Sequence, residues 1–499
     1  MRDEVALQAA ANPDQTALVD AETDRSWTFA TLDDAVEETA GRLAALGVEA
    51  GDRVAVLLET RPAFARLVFA AARLGAVLVP LNARLSRAEL ADQVDAVDPV
   101  VVVSGRDTER DAGALTPPAV SVDDSEAVRS LERVAAAPVE PADADWEDTR
   151  LLLFTSGTTG APKAVRLTYG NLGASAAASA FRLGVLPEDR WLCPLSMYHT
   201  GGVSVVLRAA LYGTTAVLVR TPGFEPEAVR DAIADYGCTG VSLVPTMLDR
   251  LLDAGRSRDD DRLDSLRFAL VGGAPTPAAL AERALDAGVP VCPTYGATET
   301  ASQVATLRAA QVRDHPDSVG RPLLGTRVTV LGDDGEPVPA GTTGELAVAG
   351  PTVTPGYVSA DATADRFCEH GLLTGDRGWV DDAGFLHVGG RQSDQVVTGG
   401  ENVHPSEVAD VLREHPAVGE VAVVGVPDDE WGETVGALVV AAPGHAASDL
   451  STDALRSFCA GRLADYKHPR VVAVVDGLPR TPSGTVDRDA ARERLGGDT

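Results

Sequence analysis

At 499 residues, 45% of them hydrophobic, the chain has room for about three domain-sized units and enough apolar surface to bury a core, which excludes a disordered or fibrous protein. Its 43 basic and 74 acidic residues leave a net charge of −31, which repels polyphosphate backbones and anionic lipid and argues against nucleic-acid or membrane partners. No apolar run reaches the roughly 18 residues of a spanning helix, because Arg73 interrupts the longest, around Leu67–Val79.

The opening residues, Met1 to Glu4, lack the basic-then-apolar layout of a signal peptide, and the five cysteines lie far apart with no CxxC pair. Both point to a cytoplasmic, reducing setting without a disulfide framework or a zinc site. Lysine occurs only at Lys163 and Lys467. A lysine-poor acidic surface fits a salt-rich, halophilic cytosol. GC-rich coding would explain arginine over lysine but not the excess of acids.

In chain order, Leu32–Leu46 has helical periodicity, Arg53–Leu58 reads as a buried strand, Ala63–Leu74 as a helix and Ala76–Pro80 as the next strand. Val100–Val103 follows as a strand, then an acidic, Pro-rich connector to Trp146. The alternation resumes with apolar segments at Thr214–Val219, Gly240–Val244, Phe268–Val271 and Val289–Val291. Alternating strands and helices over 300 residues predict parallel sheets covered by helices. From about 318 to 390, short strands (Arg327–Leu331, Gly344–Val348, Phe385–Val388) between Gly/Pro/Asp turns predict a small β-rich subdomain. Residues 395–499 read as a compact β/α unit.

The strongest local signal is Leu151–Lys163, where an apolar strand runs into Thr155, Ser156, Gly157, Thr158, Thr159, Gly160, Ala161, Pro162 and then lysine. Glycines let backbone N–H groups approach an anion, hydroxyls donate to it, and the ammonium adds a point charge. The spacing is not that of a Walker A loop.

This segment resembles the phosphate-binding loop of the adenylate-forming superfamily, which includes the acyl-CoA ligases. Three further motifs follow in the family's order. Thr294-Tyr295-Gly296-Ala-Thr298-Glu299-Thr300 resembles the motif whose aromatic stacks on adenine and whose Thr and Glu hold phosphate and Mg²⁺. Thr374-Gly375-Asp376 resembles the ribose-binding motif. Gly390-Arg391-Gln392-Ser393-Asp394 resembles the hinge, with Arg391 on the ribose and small, polar Ser393 where the family often has Asp or Lys.

The resemblance implies an α/β protein. Its large N-terminal domain, residues 1–390, would hold two helix-covered sheets (about 1–150 and 151–317) and a β-barrel-like subdomain (318–390). A hinge at 391–394 would lead to a mobile α+β domain at 395–499. It implies ATP, Mg²⁺ and CoA as cofactor and cosubstrates, a small-molecule carboxylate as substrate, and compatibility with a homo-oligomer. Lys163, Thr298, Glu299 and His199 would be catalytic, with Glu299 on Mg²⁺. Gly272, Gly273 and Ala274 would join Thr155–Gly160 and Thr294–Gly296 around the nucleotide. Gly399, Gly400, Glu401 and Asn402 would face CoA, and His199 would line the acyl pocket.

Several segments (Tyr169-Gly-Asn171, Gly201–Arg208, Leu270–Pro275, Thr294–Gln303, Gly399–Asn402) resemble the 2-succinylbenzoate–CoA ligase family of menaquinone biosynthesis. Medium-chain and aromatic acyl-CoA ligases share several of them and are the alternative. Arg208 is the candidate reader of the second, aromatic carboxylate, with Ser302 and Gln303 supplying further hydrogen bonds. One position departs from the family: Thr485 stands where a lysine normally bridges the attacking carboxylate and the α-phosphate. Arg480, Arg488 and Lys467 are candidate replacements, and a non-catalytic adenylate-binding homologue is the rival class.

Overall fold

The computed structural model describes residues 3–155, 163–220, 223–255, 261–364, 366–391, 395–480 and 486–496. The chain packs as two units. One comprises Met1–Ala83, Ala96–Phe154 and Ala164–Gly390, the other Arg84–Asp95, Thr155–Lys163 and Arg391–Thr499.

Two large sheets organise the first unit. A seven-stranded sheet runs in the order Arg129–Ser130, Ala119–Ser121, Val101–Ser104, Arg53–Leu57, Val77–Pro80, Thr149–Thr155, Lys163–Thr168. Val77–Pro80 and Val101–Ser104 are buried at every residue, as strands covered on both faces should be. The two short strands at Ala119–Ser121 and Arg129–Ser130 come from the acidic connector, where the sequence reading placed no element. Their few buried side chains are too short a pattern to stand out.

The second sheet has nine strands, in the order Arg321–Pro322, Ser302–Thr306, Val291–Ala297, Phe268–Val271, Gly240–Leu243, Arg190–Cys193, Thr215–Leu218, Thr16–Asp20, Arg25–Thr28. From Val291–Ala297 to Thr16–Asp20 the pairs are parallel, but both edges are antiparallel. The expectation of parallel sheets is corrected there. The links at 21–24 and 298–301 are far shorter than the dozen or so residues that a parallel crossover needs. The strand expected at Val289–Val291 begins at Val291 and runs on through Thr294, Tyr295 and Gly296.

Helix ends follow local chemistry. Pro62 opens Pro62–Leu74, and Gly75, at φ +68°, closes it. Thr168 and Asn171 cap Tyr169–Leu183 reciprocally at 3.0 Å each. The β-rich part pairs Arg327–Leu331, Gly344–Ala349 and Gly371–Val380 antiparallel. Phe367–Cys368 and Leu386–Arg391 also pair with the long strand.

In the second unit, Glu401–Val403, Val396–Thr398, Gly432–Ala441 and Val418–Asp428 form an antiparallel sheet, with Val471–Val474 parallel to Gly432–Ala441. Helices Pro405–Arg413, Thr452–Cys459 and Arg488–Gly496 belong to the same unit. Among the described residues, no helix is long and apolar enough to cross a membrane.

Candidate functional site

Open α/β sheets bind ligands beyond the carboxyl ends of their parallel strands. In the nine-stranded sheet those ends carry the expected nucleotide residues. Gly272, Gly273 and Ala274 follow Phe268–Val271, and Thr294–Gly296 lie in the next strand. A Cβ on Gly272 would stand 2.6 Å from Thr294 Cγ2, and Gly273 has φ +84°, so this turn admits only glycine. Strand register shifts between Tyr295 and Gly296, where a Cβ would fall 1.6 Å from the Ser302 carbonyl oxygen. Thr294 donates its hydroxyl to the Ala305 carbonyl at 2.8 Å.

Tyr295 and Asp376 come from different sheets and meet directly: the phenol donates to Asp376 Oδ2 at 2.6 Å. Asp376 is buried, and its N–H donates to Thr374 Oγ1 at 3.1 Å. The residue expected to stack on adenine thus touches the one expected to bind ribose.

Thr298–Thr300 form a single 3₁₀ turn after the Tyr295 strand. Thr200 donates its hydroxyl to Thr298 Oγ1 at 3.1 Å, tying this turn to the start of helix Thr200–Tyr212. Glu299 is held twice: its carbonyl accepts from Thr354 N–H at 2.8 Å, and its Oε1 accepts from the Tyr357 phenol at 2.9 Å. Burial and the Glu299 carboxylate push the Tyr357 pKa up, against the guanidinium of Arg366 beside it. The phenol therefore stays a hydrogen-bond donor at neutral pH. No cluster of three metal-ligating side chains exists among the described residues. One oriented carboxylate fits Mg²⁺, which commonly binds through one or two carboxylates plus substrate phosphates.

His199 is the N-cap of helix Thr200–Tyr212 and packs edge-on against Tyr198, with centroids 4.8 Å apart. The loop before it hangs on Thr60, which donates to the Leu195 carbonyl at 2.8 Å and accepts from Met197 N–H at 2.9 Å. On the same helix, Arg208 is 3% exposed. Buried Arg42, Arg73 and Arg150 each pair with a carboxylate (Glu38, Asp3 and Glu4) at 2.5–2.8 Å. Arg208 has no such pair among the described residues. Its Nη2 donates to Ser175 Oγ at 3.2 Å, its guanidinium sits 5.7 Å from the Trp191 ring centroid, and burial lowers its pKa. An unneutralised buried cation is costly, and an anion arriving there would relieve that cost.

Ser302 is half-buried and stands at φ +101°, next to Ala301 at φ +50°. Gln303 is buried and donates its amide to Thr306 Oγ1 at 2.7 Å, while its Oε1 has no partner among the described residues.

In the second unit, Gly399 and Gly400 (φ +57° and +82°) form the two-residue turn between Val396–Thr398 and Glu401–Val403. Glu401 is buried and lies 3.3 Å from Arg84, whereas Asn402 is exposed. Lys467 is held by Glu89 and Glu407, each at 2.6 Å, and Arg480 by Glu420 at 2.6 Å. Arg488 opens helix Arg488–Gly496.

Thr155 ends one strand and Lys163 begins the next; Arg391 ends Leu386–Arg391. Ser156, Gly157, Thr158, Thr159, Gly160, Ser393 and Thr485 lie outside the described residues. The sequence reading did not single out Tyr357, Arg366, Thr200 or Ser175. Tyr357, Thr200 and Ser175 act on residues distant in the chain, so no local spacing marks them.

Comparison with known proteins gives a consistent result. The family model described as AMP-binding enzyme matches residues 5–358, and the AMP-binding enzyme C-terminal domain matches residues 407–485. A 2-succinylbenzoate–CoA ligase of Bacillus cereus (strain Q1) is 37% identical over 486 residues, 96% of each chain. A double mutant of o-succinylbenzoate CoA synthetase from Bacillus subtilis, solved with its product analogue, superposes with a TM-score of 0.89 at 34% identity, covering 99% of both chains. The B. subtilis synthetase solved with ATP and magnesium gives 0.73 at 34% identity, covering 98% of this chain and 99% of that one.

Proposed function

The chain belongs to the AMP-binding enzyme family, and on that premise we propose that it is an AMP-forming acid–thiol ligase that joins 2-succinylbenzoate to CoA, as its relatives' names describe for them. The observation that carries the substrate choice is Arg208, a buried guanidinium without a carboxylate partner among the described residues. 2-Succinylbenzoate has two carboxylates: one to be activated and one on the ring to be held. Arg208 suits the second.

In the first step an oxygen of the succinyl carboxylate attacks the α-phosphorus of ATP, and the bond to pyrophosphate breaks. Tyr295 stacks on adenine and Asp376 accepts from the ribose hydroxyls, the pair being pre-set by their own 2.6 Å hydrogen bond. Glu299, oriented by Tyr357, is the side chain that would hold Mg²⁺, which neutralises charge on the phosphates when bound. Lys163 supplies positive charge toward the leaving pyrophosphate. In the second step the CoA thiol, losing its proton, attacks the acyl carbon, and AMP leaves with the electron pair of the acyl–phosphate bond. His199 lines that path.

The same reading keeps 1–390 and 395–499 as domains joined at 391–394, with Gly399–Asn402 on the CoA side. It also keeps a cytoplasmic location and compatibility with a homo-oligomer. Thr485 supplies no ammonium, and Lys467, held between two glutamates, is not a convincing substitute. Thr485→Lys should therefore speed adenylation and leave thioester formation from preformed adenylate unchanged.

The deciding experiment is pyrophosphate exchange into ATP and CoA-thioester formation across a panel of carboxylates. Exchange dependent on 2-succinylbenzoate, with AMP as product, supports the reading. ADP as product, or exchange only with a monocarboxylate, overturns it.

A further inference from the structure

We infer that Ser175 is a positioning residue for the acyl site, one hydroxyl that is anchored on the Ala301 carbonyl and aims Arg208. The inference rests on the reading that Arg208 receives the ring carboxylate of 2-succinylbenzoate.

Ser175 lies inside helix Tyr169–Leu183 and is 2% exposed. A serine at such a position commonly turns its hydroxyl back to the carbonyl one turn earlier in its own helix. This one faces two other elements. It donates to the Ala301 carbonyl at 2.6 Å and accepts from Arg208 Nη2 at 3.2 Å. The directions are not interchangeable, because a carbonyl only accepts and a guanidinium only donates. The single hydroxyl proton is thus committed to Ala301 and a lone pair to Arg208.

The Ala301 end is the anchor, the Arg208 end the part it aims. Ala301 and Ser302 are consecutive non-glycine residues at φ +50° and +101°, backbone that side chains rarely adopt. Ser302 also pairs with Ala297 across the strands, Ala301 N–H donates to the Thr298 carbonyl at 3.1 Å, and the Thr300 hydroxyl donates to the Ser302 carbonyl at 3.4 Å. Arg208, for its part, has no carboxylate among the described residues to fix its rotamer, and the Ser175 oxygen is the hydrogen-bond acceptor the structure gives it. A helix-packing role alone would not require a guanidinium at this place.

The test compares Ser175→Ala, Arg208→Ala and the double variant. Their KM and kcat are measured for 2-succinylbenzoate, for 4-oxo-4-phenylbutanoate, which lacks the ring carboxylate, and for ATP. Ser175→Ala should raise KM for the dicarboxylate at least tenfold, with KM for the monocarboxylate and for ATP within twofold of wild type. In the Arg208→Ala background it should add no more than twofold, since its effect passes through Arg208. Should Ser175→Ala not fold, Ser175→Cys, nearly the same shape with a weaker donor, carries the same comparison. Equal losses on both acids, or losses that multiply in the double variant, overturn the inference. Failure of the wild type to use 2-succinylbenzoate defeats the underlying reading instead.

Discussion

Two side chains of the site do work that a single substitution can expose. Removing Arg208 leaves the ring carboxylate unpaired in a buried place, which typically costs about 3–5 kcal/mol. Arg208→Ala should therefore lower kcat/KM for 2-succinylbenzoate more than a hundredfold relative to 4-oxo-4-phenylbutanoate; equal losses would return the substrate to the wider acyl-CoA ligase class. Tyr357 is the second. Its hydrogen bond to the Glu299 carboxylate is charge-assisted, a kind worth about 1.5–3 kcal/mol, so Tyr357→Phe should raise the Mg²⁺ concentration for half-maximal exchange roughly tenfold. A magnesium titration that matches wild type would remove Tyr357 from the metal site. The two differ in how readable they were. Arg208 sits nine residues from His199, in a segment whose resemblance marks it. Tyr357 is 58 residues from Glu299 and is brought to the site by the docking of its segment on strand Lys163–Thr168, where Tyr357 pairs with Val165.

At the level of elements, apolar runs were legible in several strands buried on both faces: Phe268–Val271 is the segment read from sequence, residue for residue, whereas buried Thr16–Asp20 and Arg190–Cys193, each carrying a charged residue, were not singled out. Strands carrying chemistry were not. Val291–Ala297 and Gly371–Val380 are interrupted by Thr, Tyr, Gly and Asp, whose side chains serve neighbouring strands or the site, so neither shows an apolar run throughout. Lys467 shows the same limit. The sequence marked it as one of two lysines and offered it as a replacement at position 485. The structure buries it between Glu89 and Glu407, joining the segment Arg84–Asp95 to helix Pro405–Arg413 within the second unit. The two carboxylates hold the Lys467 pKa above its usual 10.5, while burial pushes Glu407 up. Lys467→Met would leave two buried acids around an apolar chain, and should cost about 3–5 kcal/mol in unfolding of the full chain at pH 7. The sign follows from the raised value: the lysine's contribution is complete below pH 10.5 and fades as pH rises through the higher folded pKa. The gap between wild type and variant should narrow above pH 10.5; a constant gap would mean the loss is one of packing.

Over the whole molecule, net charge outweighs individual ion pairs. Several basic side chains are already matched, Arg73 to Asp3, Asp33 and Glu37, and Arg150 to Glu4, yet 31 negative charges remain without a counterpart. At 0.1 M salt the Debye length is about 10 Å and the uncompensated carboxylates repel one another across the surface; at 1 M it is about 3 Å and that repulsion is largely screened. Unfolding relaxes the repulsion by spreading the charges, so low salt should favour the unfolded chain. The unfolding midpoint is expected to rise steadily between 0.1 and 1 M KCl, and to rise equally in NaCl, since screening depends on ionic strength and not on the cation. Buried pairs such as Arg150–Glu4 are shielded from solvent and should contribute little to this slope. Measuring the midpoint by thermal unfolding in both salts, with sucrose as a neutral control, isolates the charge effect. A flat profile would assign the arginine-rich, acid-rich composition to coding bias and leave the site chemistry as it stands.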